Sequence, residues 1–446
     1  MLGWGGVVRL GLVQTALGAV IVLTTSTLNR IMVVELMLPA MIPGALITLY
    51  QAIQLSRPRF GHGSDQGGRR TPWIKGGMLA LALGGAGAAA GTAWAFENTS
   101  AGLTLVVLSF VLIGLGVGAA GTSLLVFLAK RVEPGKRAPA ASIVWIMMIA
   151  GFAVTAGVAG QFLDPFSPAR LVAVSSTVSV LAVVVTWIAL AGLEQPQSNA
   201  LESTTEQPAR NPFFSTLRSV WQEAETRNFT LFVFASMLAY SAQDLILEPY
   251  AGALYGLTPG QSTSLAGMQN AGMLVGMLTV AFAGALGGRG DVRQLRNWTV
   301  GGCVTSALAL FGLAYGGTYS GTWPLHANVV ALGICNGAFA VSAIASMMAL
   351  AGMDGQREGL RMGLWGAAQA IALGVGGFAG TVAIDAMRMV LTDVGQAYAV
   401  VFSAEGALFI AAALIGVRIR QLADRRSPAR TPGFGEIAMG EVFDGR

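Results

Sequence analysis

Charged residues are scarce in this chain: Asp, Glu, Lys and Arg together make up 11% of its 446 residues, against about 25% in ordinary soluble domains. This scarcity excludes a soluble enzyme. The two cysteines, Cys303 and Cys335, both lie in apolar segments, so no disulfide framework or metal-ligand spacing is indicated. Neither of the two histidines has a Ser or Cys partner at a recognisable catalytic spacing, and nucleic-acid-binding motifs are absent. The sequence therefore predicts neither an enzyme, nor a free metal site, nor a nucleic-acid partner.

Long apolar segments make up most of the chain. Hydrophobic residues make up 54% of the chain and fall into runs of about 20 residues, the length at which a helix crosses a hydrocarbon core of about 30 Å. The predicted spans are 10–30, 38–56, 73–96, 102–129, 139–161 and 170–192, then 229–250, 262–286, 297–317, 326–350, 362–385 and 396–418. The sequence thus predicts an all-α polytopic membrane protein with twelve transmembrane helices in two pseudo-symmetric six-helix bundles.

Polar residues between and after the spans define the predicted domain boundaries. These units are an N-terminal bundle over 1–193, a cytoplasmic linker with an amphipathic helix over 194–228, a C-terminal bundle over 229–419 and a cytoplasmic tail over 420–446. All 27 Lys and Arg residues except Arg30, Arg170 and Arg388 fall on the side that carries both termini. Because positively charged loops stay in the cytoplasm, we expect both termini to be cytoplasmic.

The ends of span one and span seven form a weak internal repeat. Each places an amide, a charged residue and a glutamate, in that order, near the side opposite the termini. These residues are Asn29, Arg30 and Glu35 in span one and Gln243, Asp244 and Glu248 in span seven. The repeat favours a duplicated six-span unit.

Carboxylates inside a span need a cation or a hydrogen-bond donor, because an unpaired charge is costly in a bilayer. Asp244 and Glu248 stand four residues apart on one helix face. Arg30 occupies the related position on span one, so we expect it to pair with Asp244 or Glu248 and, together with Glu35, to close the periplasmic mouth. An ion pair of purely structural value is the alternative.

Other polar residues inside the spans are candidates for ligand contact. Glu405 in span twelve is the strongest of them, and Gln369 and Asn336 can either contact a ligand or hydrogen-bond between helices. No Lys or Arg lies near the middle of any predicted span, which disfavours an anionic metabolite. The interior is instead rich in Gly, Ala and Met, which suits a large apolar ligand.

The loop between spans two and three, residues 61–71, reads GHGSDQGGRRT. It resembles the loop signature GxLADRxGRR of the major facilitator superfamily. Gly61 permits a tight turn, and Asp65 can accept hydrogen bonds at a neighbouring helix N-terminus. Arg69 and Arg70 can pair with carboxylates on adjacent helix ends. We expect this loop to latch the cytoplasmic side, with a basic turn that only enforces topology as the alternative.

Three further stretches carry a more specific resemblance. They are TLNRIMVVELMLPA at 27–40, YSAQDLILEPYAGALYGLTPGQST at 240–263 and RMGLWGAAQAIALGVGG at 361–377. These stretches resemble the bacteriochlorophyll delivery family of the major facilitator superfamily, the PucC and LhaA type assembly factors of purple photosynthetic bacteria. The resemblance implies a non-catalytic carrier or assembly factor in the bacterial inner (intracytoplasmic) membrane.

The resemblance also implies a cargo and partners. The implied cargo is bacteriochlorophyll a or a precursor. The implied partners are antenna or reaction-centre polypeptides, bacteriochlorophyll synthase and the insertion machinery. Such a pigment needs an axial ligand for its magnesium and apolar walls. Gln243, Asn336 and His326 are the candidate ligands, and Gln369 and Glu405 are further candidate binding residues.

Two alternatives to the pigment carrier remain open from the sequence. One is a secondary transporter of a hydrophobic small molecule, coupled to protons through Asp244, Glu248 or Glu405. The other is a scaffold that binds partner membrane proteins and no pigment.

Overall fold

Every regular element in the described part of the chain is a helix. The computed structural model describes residues 2–54, 70–133, 137–193, 224–286, 292–319, 322–352 and 358–426. The helices are α1 Trp4–Glu35, α2 Met41–Ile53, α3 Thr71–Trp94, α4 Thr99–Arg131, α5 Arg137–Leu163, α6 Pro168–Leu190, α7 Ala224–Tyr255, α8 Pro259–Leu286, α9 Val292–Thr318, α10 Leu325–Gly352, α11 Glu358–Val390 and α12 Val394–Arg426.

Eleven of these helices are long and apolar enough to cross a membrane. The remaining one, α2, has 13 residues and ends where a described range ends. The prediction of an all-α, multi-pass membrane protein is confirmed. α7 begins within the range assigned to the linker, and α12 continues beyond 419, because hydropathy marks only the part of a helix that lies in hydrocarbon.

The two halves repeat the same set of helix contacts. In the first half α1 packs on α5 and α6, and α3 packs on α4 and α6. In the second half α7 packs on α11 and α12, and α9 packs on α10 and α12. The halves meet mainly through α2 with α11 and α5 with α8. These two contacts are equivalent, because α2 corresponds to α8 and α5 corresponds to α11. The predicted pseudo-symmetry of two six-helix bundles is therefore confirmed.

The helix ends define two faces of the molecule. The terminal face carries the start of α1 and the end of α12. The opposite face carries the connections from each odd-numbered helix to the next, beginning with residues 36–40 between α1 and α2.

Small residues set the spacing of α3 and α4, which run antiparallel. Gly77, Gly84 and Gly91 recur every seven residues on α3, and they face Gly116, Ser109 and Gly102, which recur every seven residues on α4. A Cβ added to Gly77 would lie 2.5 Å from the backbone nitrogen of Ala120. The seven-residue spacing is typical of helices that pack along a continuous seam, so backbone meets backbone along this pair.

The neighbouring Gly76 differs from Gly77, because a Cβ added there would meet nothing within 4 Å. Gly76 lines an apolar groove of about 400 Å³ on the outer side of α3 and α4. The other lining residues include Trp73, Ala80, Leu112 and Leu115, all apolar. The groove is lined by apolar and aromatic residues and lies outside the candidate site.

These adjacent glycines give a matched test of the seam. We expect Gly77→Ala to lower the stability of the detergent-solubilised protein by about 1–3 kcal/mol, the usual cost of overpacking. Gly76→Ala should be neutral or stabilising by up to about 1 kcal/mol, because alanine favours a helix over glycine. Thermal unfolding of both variants measures the difference, and equal melting temperatures would contradict the seam.

Candidate functional site

Part of the expected cytoplasmic latch lies outside the described residues. Gly61, Asp65 and Arg69 fall in the range 55–69, and the expected amphipathic helix of the linker falls in 194–223. Arg70 is described, half-buried and immediately before α3. The latch and the linker helix therefore stay predictions.

The second half of α1 contains two wide turns, Leu23–Thr27 and Ile31–Glu35, in which the backbone bonds run from residue i to i+5. Such π-turns insert an extra residue and occur frequently at functional sites. Between and beside them, α1 meets the C-terminal half. The Thr27 hydroxyl lies 2.9 Å from that of Thr263, and the Asn29 amide donates to the Leu245 carbonyl at 2.6 Å.

Arg30 is the central charged group of this contact, with a side chain that is 3% exposed. Its Nη1 donates to Glu35 Oε1 at 2.5 Å, and its Nη2 donates to the carbonyl of Leu257 at 2.5 Å. The guanidinium lies against Gly252 of α7, where an added Cβ would be 3.0 Å from Arg30 Nε. Arg30 thus joins the end of α1 to the α7–α8 connection.

The predicted ion pair from Arg30 to Asp244 or Glu248 is wrong in its partner, which is Glu35. The wide turn at Ile31–Glu35 carries Glu35 round to the face of Arg30, which a regular α-helix would not do at a separation of five residues. Glu248 is buried and within electrostatic range of Arg30. Among the described residues, however, neither Glu248 oxygen has a hydrogen-bond partner.

Asp244 opens onto the space between the halves. It is exposed although Gln243 before it is fully buried. The residues one turn to either side point the same way: the Tyr240 hydroxyl lies 3.8 Å from Met273 Sδ of α8, and Glu248 lies near Arg30 of α1. Asp244 therefore faces the same space as these two side chains.

The C-terminal bundle has an aromatic layer at each of two depths. Toward the terminal face, Phe339 contacts Phe232 and Phe409, with ring centroids 6.3 and 5.8 Å apart. Toward the opposite face, Tyr250 contacts Phe402 at 5.1 Å and Tyr398 at 5.4 Å. These layers leave a zone between them in the middle of α7, α10 and α12.

Polar side chains occupy that zone, and we call Gln243, Ser306, Asn336 and Glu405 the polar layer. Asn336 is three residues from Phe339 on α10, and Glu405 lies between Phe402 and Phe409 on α12. The Ser306 hydroxyl donates to Asn336 Oδ1 at 2.8 Å. All four residues are at most 5% exposed.

The polar layer is incompletely satisfied. Within the described chain, Gln243 has no partner for either amide atom, Asn336 has none for Nδ2 and Glu405 has none for either oxygen. Asp244 is close enough to act electrostatically on Glu405. Buried polar groups are normally hydrogen-bonded, so unsatisfied ones indicate water, a proton or a ligand.

Two of the predicted binding residues lie away from this layer. Gln369 of α11 is half-buried, and its amide nitrogen is 3.9 Å from Met237 Sδ of α7. His326 is exposed at the start of α10, about 15 Å along the helix from Asn336 at 1.5 Å per residue. Gln243, Asn336 and Glu405 thus lie at a similar depth between the two aromatic layers, whereas His326 lies at the opposite face.

Two carboxylates that the sequence analysis did not single out bridge the halves. Asp385 of α11 accepts hydrogen bonds from the backbone nitrogens of Ala40 and Met41 at the start of α2. Asp164, directly after α5, accepts from Thr258 at the start of α8. The sequence signal that was available is Thr258-Pro-Gly-Gln261, a capping box at the α8 N-terminus.

The hydrogen bonds that the structure describes between the halves lie from the opposite face to the middle of the helices. The deepest of them joins Thr48 of α2 to the carbonyl of Gly374 on α11 at 3.1 Å. The others involve the end of α1, the start of α2, the α5–α6 connection and the start of α8. The opposite face is therefore closed in this structure.

Comparison with known proteins identifies the family. The sequence model of the PUCC protein family matches residues 27–423. The chain belongs to the PUCC protein family. A Rhodobacter capsulatus protein named Bacteriochlorophyll synthase 44.5 kDa chain is 49% identical over 97% of this chain and 98% of its own length. A Cereibacter sphaeroides protein named Protein PucC is 30% identical over 94% of this chain and 93% of its own length.

Solved transporter structures share the fold of this PUCC family member. A bacterial homologue of the human lysosomal transporter Spinster, inward-facing and occupied, matches with a TM-score of 0.68 at 15% identity, over 95% of this chain and 98% of that one. A proton-dependent oligopeptide transporter matches with a TM-score of 0.69 at 12% identity, over 95% and 99%. The fold is that of the major facilitator superfamily, as the sequence predicted.

A double-mutant cycle tests the position of Arg30. We expect Arg30→Ala and Glu35→Gln to be coupled by about 1–2 kcal/mol in the free energy of unfolding, because the two side chains are in direct contact. Arg30→Ala combined with Asp244→Asn should be additive within about 0.5 kcal/mol. Unfolding in mixed micelles measures both cycles, and coupling to Asp244 instead of Glu35 would overturn the assignment.

Proposed function

We propose that this PUCC family protein is a non-catalytic membrane carrier or assembly factor that binds or delivers bacteriochlorophyll during assembly of light-harvesting or reaction-centre complexes. The observation that carries the proposal is the 49% identity, across nearly the whole chain, to a relative whose name places it with bacteriochlorophyll synthesis. The transporter fold supports a role in holding or moving a membrane-soluble molecule. A protein with such a role can work beside a synthase without catalysing the synthesis itself.

The polar layer of the C-terminal bundle is the proposed site of contact with the pigment. A magnesium tetrapyrrole needs one axial ligand and apolar walls. Gln243 offers an unengaged amide oxygen within an apolar and aromatic core, whereas the corresponding oxygen of Asn336 is already bonded to Ser306. Gln243 is therefore the favoured axial ligand. Because it is enclosed, ligation requires a local separation of the helices around it.

His326, Gln369 and Glu405 have lesser parts in this proposal. His326 is exposed at the opposite face, so it is the least favoured axial ligand. Glu405 offers a hydrogen bond to a polar substituent of the macrocycle from within the polar layer. Gln369 stands beside the thioether of Met237 at the α7–α11 contact.

The surroundings of the protein follow from the same proposal. We place it in the bacterial inner (intracytoplasmic) membrane with both termini in the cytoplasm, because Lys and Arg are concentrated on the terminal face. Antenna or reaction-centre polypeptides are the proposed recipients of the pigment. Bacteriochlorophyll synthase and the insertion machinery are the proposed neighbours.

A proton-coupled secondary transporter of a hydrophobic small molecule is the second candidate. The observation that favours it is a pair of carboxyl groups, Asp244 facing the space between the halves and Glu405 in the polar layer, within electrostatic range of each other. Binding of a proton to either group removes the repulsion between the two negative charges, so their protonation is coupled. Proton coupling through Glu248 belongs to the same candidate.

The absorption spectrum of the protein purified in mild detergent from a pigment-producing host tests the carrier. We expect bacteriochlorophyll in near-stoichiometric amount. Gln243→Ala should lose most of it because the axial ligand is removed, and His326→Ala should retain it as the matched control. A colourless wild-type protein that still captures antenna or synthase subunits would instead indicate a scaffold.

Collapse of the proton gradient separates the carrier from the transporter. A carrier keeps its pigment and its effect on complex assembly when an uncoupler is added, and it tolerates Asp244→Asn. A transporter loses activity in both cases, because its driving force or its proton-binding group is gone. Transport into reconstituted vesicles, with and without a pH gradient, measures the activity expected of a transporter.

A further inference from the structure

We propose that Asp164 and Asp385 are a matched pair of latches that hold the opposite face closed, each by binding the first turn of a helix that belongs to the other half. The inference concerns the conformation of the fold and stands whatever the cargo is.

Asp385 supplies a cap that α2 lacks. α2 begins at Met41 after Ala40, and its N-terminus has no side-chain cap from its own segment. Asp385 Oδ1 accepts from the Ala40 nitrogen at 3.0 Å, and Oδ2 accepts from the Met41 nitrogen at 2.7 Å. A carboxylate at this position satisfies two free N–H groups and interacts favourably with the positive end of the helix dipole.

Asp164 binds the first turn of α8 as Asp385 binds that of α2, with both carboxyl oxygens accepting hydrogen bonds. Its Oδ2 accepts from the Thr258 hydroxyl at 2.7 Å, and its Oδ1 accepts from the Gly260 nitrogen at 3.4 Å. Here the helix also has its own capping box, in which Thr258 Oγ1 accepts from the Gln261 nitrogen and Gln261 Oε1 accepts from the Thr258 nitrogen. The α8 N-terminus therefore depends less on the other half than the α2 N-terminus does.

The two latches are related by the pseudo-twofold of the fold. Asp164 follows α5 and binds α8, whereas Asp385 lies in the last turns of α11 and binds α2. α5 corresponds to α11 and α8 to α2, so each half offers one carboxylate and one helix N-terminus to its partner.

Close packing of a glycine beside each latch makes the two contacts cooperative with closure. A Cβ added to Gly260 would lie 2.5 Å from the Asp164 carboxyl carbon, and one added to Gly44 would lie 3.0 Å from Thr381 Cβ on α11. The helices therefore reach the carboxylates only when they are in contact. Separation of the halves at this face has to break both latches together.

Cysteine labelling of Thr263 tests the latch. Thr263 is 0% exposed and lies at the α1–α8 contact on the closed face. In full-length protein carrying Thr263→Cys, Cys303→Ala and Cys335→Ala, we expect Asp385→Ala to raise the rate of labelling by a hydrophilic maleimide by roughly tenfold, as for loss of a helix cap. Asp164→Ala should raise it less, and the double variant most.

Asp393 provides the matched control, because its Oδ1 accepts from the Gly395 nitrogen at 2.8 Å within one half. Asp393→Ala should leave the labelling of Thr263→Cys unchanged. Matched proteins that keep Thr263 and Cys303, and carry Cys335→Ala with the same aspartate substitution, report unfolding: labelling of Cys303, which is fully buried inside the C-terminal bundle, should also stay unchanged. Equal labelling in the Asp385→Ala and Asp393→Ala proteins, with Cys303 protected in both, would overturn the proposal.

If Asp385→Ala unfolds the protein and so exposes Cys303, a second variant, Asp385→Asn, tests the latch instead. Asp385→Asn keeps one acceptor oxygen of the two that are used. We expect a labelling rate of Thr263→Cys between those of the parent and a fully unlatched protein, with Cys303 still protected. An Asp385→Asn protein that is folded and labelled at the parent rate contradicts the latch.

Discussion

A polar group inside a bilayer has no water to bind and must find its partner within the protein. The features that distinguish this structure follow from this constraint. Arg30 binds a carboxylate and a carbonyl in place of solvent, and the first N–H groups of α2 take a carboxylate from the other half. In the polar layer around Gln243 and Glu405, the described chain supplies no such partner for the Gln243 amide or the Glu405 carboxyl oxygens.

The two halves have the same helix arrangement and use it differently. Close backbone packing is common to both: an added Cβ would lie 2.5 Å from the Ala120 nitrogen at Gly77 and would collide with the Ile334 carbonyl oxygen at Gly276. In the C-terminal half, the core contains carboxylate and amide groups between two aromatic layers. The proposed pigment contacts lie in the second bundle because this polar layer is there.

Hydropathy was sufficient to predict a helical membrane protein with two sets of six spans, and the resemblance of the loop at 61–71 supplied the superfamily. The family followed from short stretches such as 240–263, in which polar and acidic residues recur inside a span. The partner of Arg30 was not predictable, because Glu35 reaches Arg30 only through a wide turn, and no residue pattern in the sequence indicated that turn. Asp164 and Asp385 were missed for a different reason: each binds a residue nearly a hundred or more positions away. Glu405 was singled out because a carboxylate in mid-span is conspicuous in the sequence, and its role stays a prediction.

The wide turn at the end of α1 also fixes the direction in which the chain leaves that helix. Only residues 36–40 separate the turn from α2, and one residue more or less in a helix rotates everything beyond it by about 100°. Removal of one residue between Arg30 and Glu35 would leave the two side chains four residues apart, a separation at which a regular helix also keeps them on one face. The wide turn therefore lets α1 hold one residue more between these two side chains than a regular helix would, and that extra residue sets where the chain emerges toward α2.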